Sequence, residues 1–200
     1  MANVSGLVLA AGAGRRMGMP KALKTDPDGT SWLARAVDVL RDGGCADVTV
    51  VLGACGGRAA ELVPDVPHLL CADWDEGIGA SLAHGLRHLT ARPDVDAVLV
   101  HLVDLPDVAA DVPRRLLAKG AAPADLRRAV YDGVPGHPAL IGRDHWAPLL
   151  ARLVGDRGAG AYLRAQHAHE VECGDLATGH DVDTPVVDTP DTPDAPDARD

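Results

Sequence analysis

Gly12, Gly14, Gly18, Arg15, Arg16 and Lys21 crowd into one short stretch near the start of the chain. Glycine lets a backbone approach a ligand closely. Successive backbone N–H groups in such a loop form a concavity that binds anions. Arginine adds a planar fork for phosphate oxygens, and lysine adds a point charge. Together they point to a site for a nucleotide's phosphates; the plainer alternative is a flexible strand-to-helix turn with solvated arginines. The second candidate chemistry is carboxylate. Asp104 directly follows the apolar run 96–103. Ligands in open α/β sheets collect beyond the carboxyl ends of strands, so Asp104 is placed to hold Mg²⁺ beside phosphates. Its other reading is a cap for the next helix. Asp181 and Asp183 flank a single valine, which puts both carboxylates on one side of an extended segment.

Rival motifs fit less well. A Walker A loop needs Gly-Lys-Ser/Thr after its intervening residues, and Lys21 is followed by Ala22. A dinucleotide fingerprint needs Gly-x-Gly-x-x-Gly, but Gly18 comes one residue late. It also needs an acidic residue after the second strand, where this chain has Gly53-Ala54-Cys55. His84 and His88 sit four apart on a predicted helix, without the adjacent glutamate of the zinc-protease pattern. Cys45, Cys55, Cys71 and Cys173 form no Cys-x-x-Cys pair.

These residues require a frame. Val4–Ala10, 47–52, 68–71, 96–103, 126–131 and 169–173 read as strands. Helices are predicted around 32–40, 58–62, 81–89, 109–119, 144–154 and up to Gln166. Strands alternating with helices predict an α/β fold, with helices on both faces of a mostly parallel sheet. Asp132-Gly133 predicts a turn after the strand 126–131. The chain has 200 residues, which suits one domain. With no Phe, the core must be built from Val, Leu and Ala.

The run from Leu9 to Lys21, Leu-Ala-Ala-Gly-Ala-Gly-Arg-Arg-Met-Gly-Met-Pro-Lys, resembles the signature loop of the MobA-like nucleotidyltransferases. The resemblance implies a single-domain, three-layer α/β/α, Rossmann-like fold that transfers a nucleoside monophosphate from an NTP. It implies that the loop backbone at Leu9, Ala10, Ala11, Gly12 and Gly14 holds base and triphosphate, and that Arg15 and Lys21 meet the phosphates. Gly77-Ile-Gly-Ala-Ser-Leu82 is similar to a family segment beside base and sugar, implying Gly79 and Ser81 as nucleoside contacts. Ser81 as a helix cap is the alternative. The family aspartate at Asp104 binds metal, although Val103 and Leu105 replace its usual neighbours. Asp181-Val-Asp-Thr-Pro185 matches a family element whose second acidic residue, here Asp183, completes the metal site. If so, the ion-free carboxylates repel, and Asn at either position preserves or raises the apo melting temperature. Gly136-His137-Pro138 resembles the molybdopterin cytidylyltransferase branch and implies His137 near the acceptor. Asp156 lies in a comparable Gly-Asp-x-Gly-Ala element and is a weaker candidate.

The expected activity is therefore Mg²⁺-dependent transfer of NMP, with CTP favoured, to a phosphorylated small molecule such as molybdopterin. A sugar-phosphate nucleotidyltransferase and a non-catalytic nucleotide-binding regulator or cofactor chaperone are the alternatives. The net charge of −10 argues against a broad nucleic-acid surface. No apolar run approaches the length of a membrane span. A cytoplasmic protein with reduced thiols, monomeric or weakly oligomeric, is expected. Residues 1–186 form the expected domain. Residues 187–200, rich in Asp, Thr and Pro, form an acidic tail that offers no core and is expected to be disordered.

Overall fold

The computed structural model describes residues 2–182. The predicted tail and Asp183 lie outside the described residues.

The apolar run Val4–Ala10 forms β1, and every residue in it is buried. That burial follows from its place in the middle of a seven-stranded sheet, ordered β3-β2-β1-β4-β6-β5-β7. The other strands are β2 (Asp47–Leu52), β3 (His68–Leu70), β4 (Ala97–Leu102), β5 (Leu126–Tyr131), β6 (Val134–Gly142) and β7 (His169–Glu172). β6 pairs antiparallel with both β4 and β5, and the remaining pairings are parallel.

Alternation along β1 divides the core. Val8 and Ala10 face α1 (Trp32–Asp42) and α4 (Asp111–Leu117), packing with Leu33, Val37, Leu40, Val112 and Leu116. Leu7 and Leu9 face α3 (Ile78–Thr90), α5 (Trp146–Leu150) and α6 (Gly160–Ala165), packing with Leu82, Leu86, Leu89, Trp146 and Leu163. A short helix α2 (Gly56–Ala60) completes the first layer through Ala59. Ser31 caps α1, its hydroxyl accepting from the Ala34 N–H at 3.3 Å. The long helix expected over 144–154 is a 3-10 turn, Arg143–His145, followed by the five-residue α5. Pro148 sits in the first turn of α5, where its missing N–H costs nothing, but a longer helix running through it would lose a hydrogen bond. No helix among the described residues is long and apolar enough to cross a membrane.

Parallel pairing of β1 with β4 aligns Leu9 with Leu102. The glycine loop after β1 and Asp104 after β4 therefore emerge side by side at one end of the sheet. The late segment crosses the same end. Thr178 donates through its N–H and its hydroxyl to Asp107 Oδ2, at 2.7 and 2.6 Å. The Val182 N–H donates to the Asp104 carbonyl oxygen at 3.1 Å.

Candidate active site

The glycine loop closes over a cavity of about 480 Å³. Its turn depends on Gly14, which has φ +60°. A Cβ there would also stand 1.9 Å from the Met19 carbonyl oxygen. Gly14→Ala is therefore expected to cost about 1–3 kcal/mol of stability, measured by urea denaturation, because both the left-handed backbone and the contact must be relieved.

Of the sequence-predicted residues, Leu9, Ala10, Ala11, Gly12, Gly14, Arg15, Lys21, Ser81 and Asp104 all line this cavity. Ser81 is buried in the first turn of α3 and does not cap it; Gly77 occupies the N-cap position. Gly79 is placed differently from the expectation. It packs against the 155–157 segment, where a Cβ would meet the carbonyl oxygens of Gly155 and Arg157 at 2.6 and 2.7 Å. Its own N–H donates to the Gly155 oxygen at 2.9 Å. A close approach does require glycine here, but the partner is the protein's own backbone. That contact brings Asp156 into the cavity wall. Trp74 and Asp75 also line the cavity and were missed by sequence reasoning, since only the tertiary fold carries their loop over β1.

Lys21 Nζ lies 2.7 Å from Asp104 Oδ2, with both side chains mostly buried. The like-charge repulsion expected around Asp104 is thus offset by a cation within the described residues. Asp104 Oδ1 is buried and has no hydrogen-bond partner among them. A carboxylate oxygen with unused lone pairs suits a hard divalent cation. Among the described residues no group of His, Cys, Asp or Glu forms a complete metal site. The hydrogen bond from Val182 to the Asp104 backbone brings the end of the described chain to this point.

His137 does not line the large cavity. It lines an adjoining one of about 190 Å³, which shares Leu9 and Ile78 with the first. Burial pushes the His137 imidazole down to about 4, against a smaller opposing pull from Asp104. Its carbonyl oxygen accepts from the Tyr131 hydroxyl at 2.6 Å. On β4, His101 is only 1% exposed, and its Nδ1 has no partner among the described residues. Burial, with repulsion from His137 adding to it, pushes His101 down to about 3. Since the unfolded imidazole titrates near 6.5, the unfolded chain binds more protons between pH 6.5 and about 3. Stability therefore falls as pH drops through that window. Lowering pH from 7 to 5 is expected to remove about 2 kcal/mol through this one group. His101→Gln should roughly halve the pH slope measured by chemical denaturation, the buried His137 carrying a comparable share; an unchanged slope would refute the assignment.

The cavity thus joins a glycine-rich anion loop, two arginines, a lysine–aspartate pair and a wall carrying Asp75 and Asp156. Comparisons with known proteins give the family and the fold. Residues 6–171 match the family model described as the MobA-like NTP transferase domain. Over 193 residues the chain is 32% identical to nicotine blue oxidoreductase of Paenarthrobacter nicotinovorans, covering 90% of this chain and 92% of that one. A probable molybdenum cofactor guanylyltransferase of Rhodopirellula baltica is 33% identical over 107 residues, covering 53% of this chain and 50% of that one. The crystal structure of Rv0371c from Mycobacterium tuberculosis H37Rv superposes with a TM-score of 0.74 at 28% identity, covering 92% and 94% of the two chains. Rv0371c has also been solved in complex with manganese. With residues 6–171 matching the family model and the sheet superposing on a related structure over most of its length, the chain belongs to the MobA-like NTP transferase family.

Proposed function

We propose that the protein transfers a nucleoside monophosphate from an NTP, with CTP favoured, to a phosphorylated acceptor of the molybdopterin type, releasing pyrophosphate. The observation that carries this reading is the convergence of the glycine loop, Lys21 and Asp104 on one cavity. An acceptor phosphate oxygen attacks the α-phosphorus, and the bond to the pyrophosphate oxygen breaks. The attacking oxygen is already anionic, so the chain needs no nucleophile of its own. It contributes positioning and charge stabilisation. Loop N–H groups hold the phosphates. Arg15 and Lys21 neutralise charge gathering on the leaving pyrophosphate. Asp104 and Asp183 would hold Mg²⁺, which when bound offsets charge on the phosphate oxygens. Ala10-Ala11-Gly12 and Gly136-His137-Pro138 support the cytidylyl choice through their resemblance to that branch.

A second reading comes from the relative named nicotine blue oxidoreductase: an oxidoreductase, for which a nicotinamide dinucleotide is the donor to test. Against it, β2 ends at Leu52 and runs into Gly53, whose Cα lies against Trp74, so no carboxylate stands there for a ribose. Incubating the full chain with each α-labelled NTP, Mg²⁺ and candidate phosphorylated acceptors, with NADH and NADPH in parallel, tests both. Pyrophosphate release matched to labelled product supports transfer. Binding without release marks a nucleotide-binding regulator, and turnover with sugar phosphates alone moves the acceptor class. Hydride transfer without NTP binding would overturn the proposal.

A further inference from the structure

The small cavity beside the candidate active site ends at a buried arginine that nothing in nucleotide binding uses. β4, β6, β5 and β7 set Val100, Ala139, Arg128 and Glu170 in one cross-strand row, continuing from Leu7 on β1. Arg128 is only 7% exposed. Its Nη2 donates to Glu170 Oε1 at 2.5 Å, while its Nε is buried without a partner among the described residues. A buried unsatisfied donor costs about 1–3 kcal/mol, so its persistence calls for a ligand. Glu170 is a weak rival for the guanidinium because its side chain is half exposed.

The cavity's shape agrees. Ala139, Gly158 and Gly160 line it with little or no side chain. β1 and β5 are three strand spacings apart, roughly 14 Å, so the slot runs from the edge of the nucleotide cavity to Arg128. Arg164 lines the same end. Its guanidinium makes no hydrogen bond or ion pair among the described residues.

We propose that Arg128 is a specificity-determining residue for the acceptor, its planar fork reading two adjacent hydrogen-bond acceptor atoms on a flat group remote from the reacting phosphate. This rests on the nucleotidyl-transfer reading for the word acceptor. The matching chemistry is a carboxylate, or the carbonyl oxygen and ring nitrogen along one edge of a fused heterocycle, which arginine pairs with bidentately. A thin molecule fits the slot; a bulky saturated ring does not.

The test uses the full chain labelled with ¹⁵N-arginine. The Arg128 Nε–H resonance, identified by its loss in Arg128→Lys, is followed during titration with benzoate, pterin or benzamide. Benzoate or pterin is expected to saturate the shift and to bind at least roughly tenfold tighter than benzamide, which replaces one acceptor atom with a donor. The probe that binds identifies the source. Arg128→Lys, which keeps the charge but loses the fork, should weaken that probe about tenfold. Glu170→Gln, on a half-exposed side chain, should tighten it by removing the competing charge. It decides the matter if Arg128→Lys does not fold. Equal binding of all three probes, affinity that survives Arg128→Lys, or no tightening in Glu170→Gln would overturn the proposal. CTP binding to the unmutated protein is measured alongside. Its loss with probe binding intact defeats nucleotidyl transfer and leaves the fork assigned, and the reverse defeats the fork alone.

Discussion

Replacing Lys21 with alanine is expected to cut nucleotidyl transfer by about two to four orders of magnitude, at saturating NTP and acceptor. Lys21 ends the glycine loop and lies 2.7 Å from Asp104 in the wall of the cavity proposed to hold the nucleotide. A cation there stabilises the departing pyrophosphate more than the bound NTP, so the loss falls on kcat. Lys21→Arg should restore little, because a wide fork does not replace a compact charge in a space shaped by Asp104. The alanine variant also removes the counter-charge from a carboxylate whose other oxygen has no partner among the described residues. That should lower stability by about 1–3 kcal/mol, below the range for fully buried pairs because both side chains keep some water. Near-normal kcat with a lowered melting temperature would mean that Lys21 serves only the fold.

Asp104→Asn is the second large effect. It should remove most divalent-ion-dependent turnover, a loss of about two to three orders of magnitude. The sign of its stability effect separates two pictures of the apo site. A pair of bare carboxylates predicts an unchanged or higher melting temperature. The observed Lys21–Asp104 ion pair predicts a lower one, by about 2–6 °C for a domain of this size. The fall should shrink when Lys21 is also changed, because paired residues couple. Melting curves of the two single variants and the double variant, without metal, provide the check. An elevated melting temperature for Asp104→Asn alone would remove the ion pair as the dominant interaction.

Much of the fold was legible because strands and helices announce themselves by period. Val4–Ala10 and 97–102 are apolar on both faces, as central strands must be. Asp132-Gly133 reads as a turn, and it joins β5 to β6, whose Gly136-His137-Pro138 run does not read as a strand. The insertion of β6 between β4 and β5 was not legible, since pairing across 40 residues leaves no local mark. Site residues on the signature loop were legible for the same local reason. Gly79 shows the limit: a glycine before a serine on a helix suits a ligand or a backbone neighbour equally, and here the neighbour is Gly155. Arg128 shows the opposite failure. Arginine within a strand reads as solvent-facing, and only the cover supplied by α6 and the pairing with Glu170 bury it.

The hydrogen bond from Val182 to Asp104 also sets a schedule during synthesis. Chains grow from the N-terminus at about 5–20 residues per second, and early segments fold first. β1, β2, β3 and β4 are complete once Leu102 has emerged, but β4 then stands as an open edge until β6 is made. The glycine loop and Asp104 can meet at that stage, whereas the backbone donor that pins the Asp104 carbonyl comes from a residue 78 positions later. A nascent chain halted in that interval has the glycine loop but not the backbone donor that pins the Asp104 carbonyl. Ribosome-stalled chains ending before and after Val182 should therefore differ in protection at the Asp104 loop while sharing the same protection along β1.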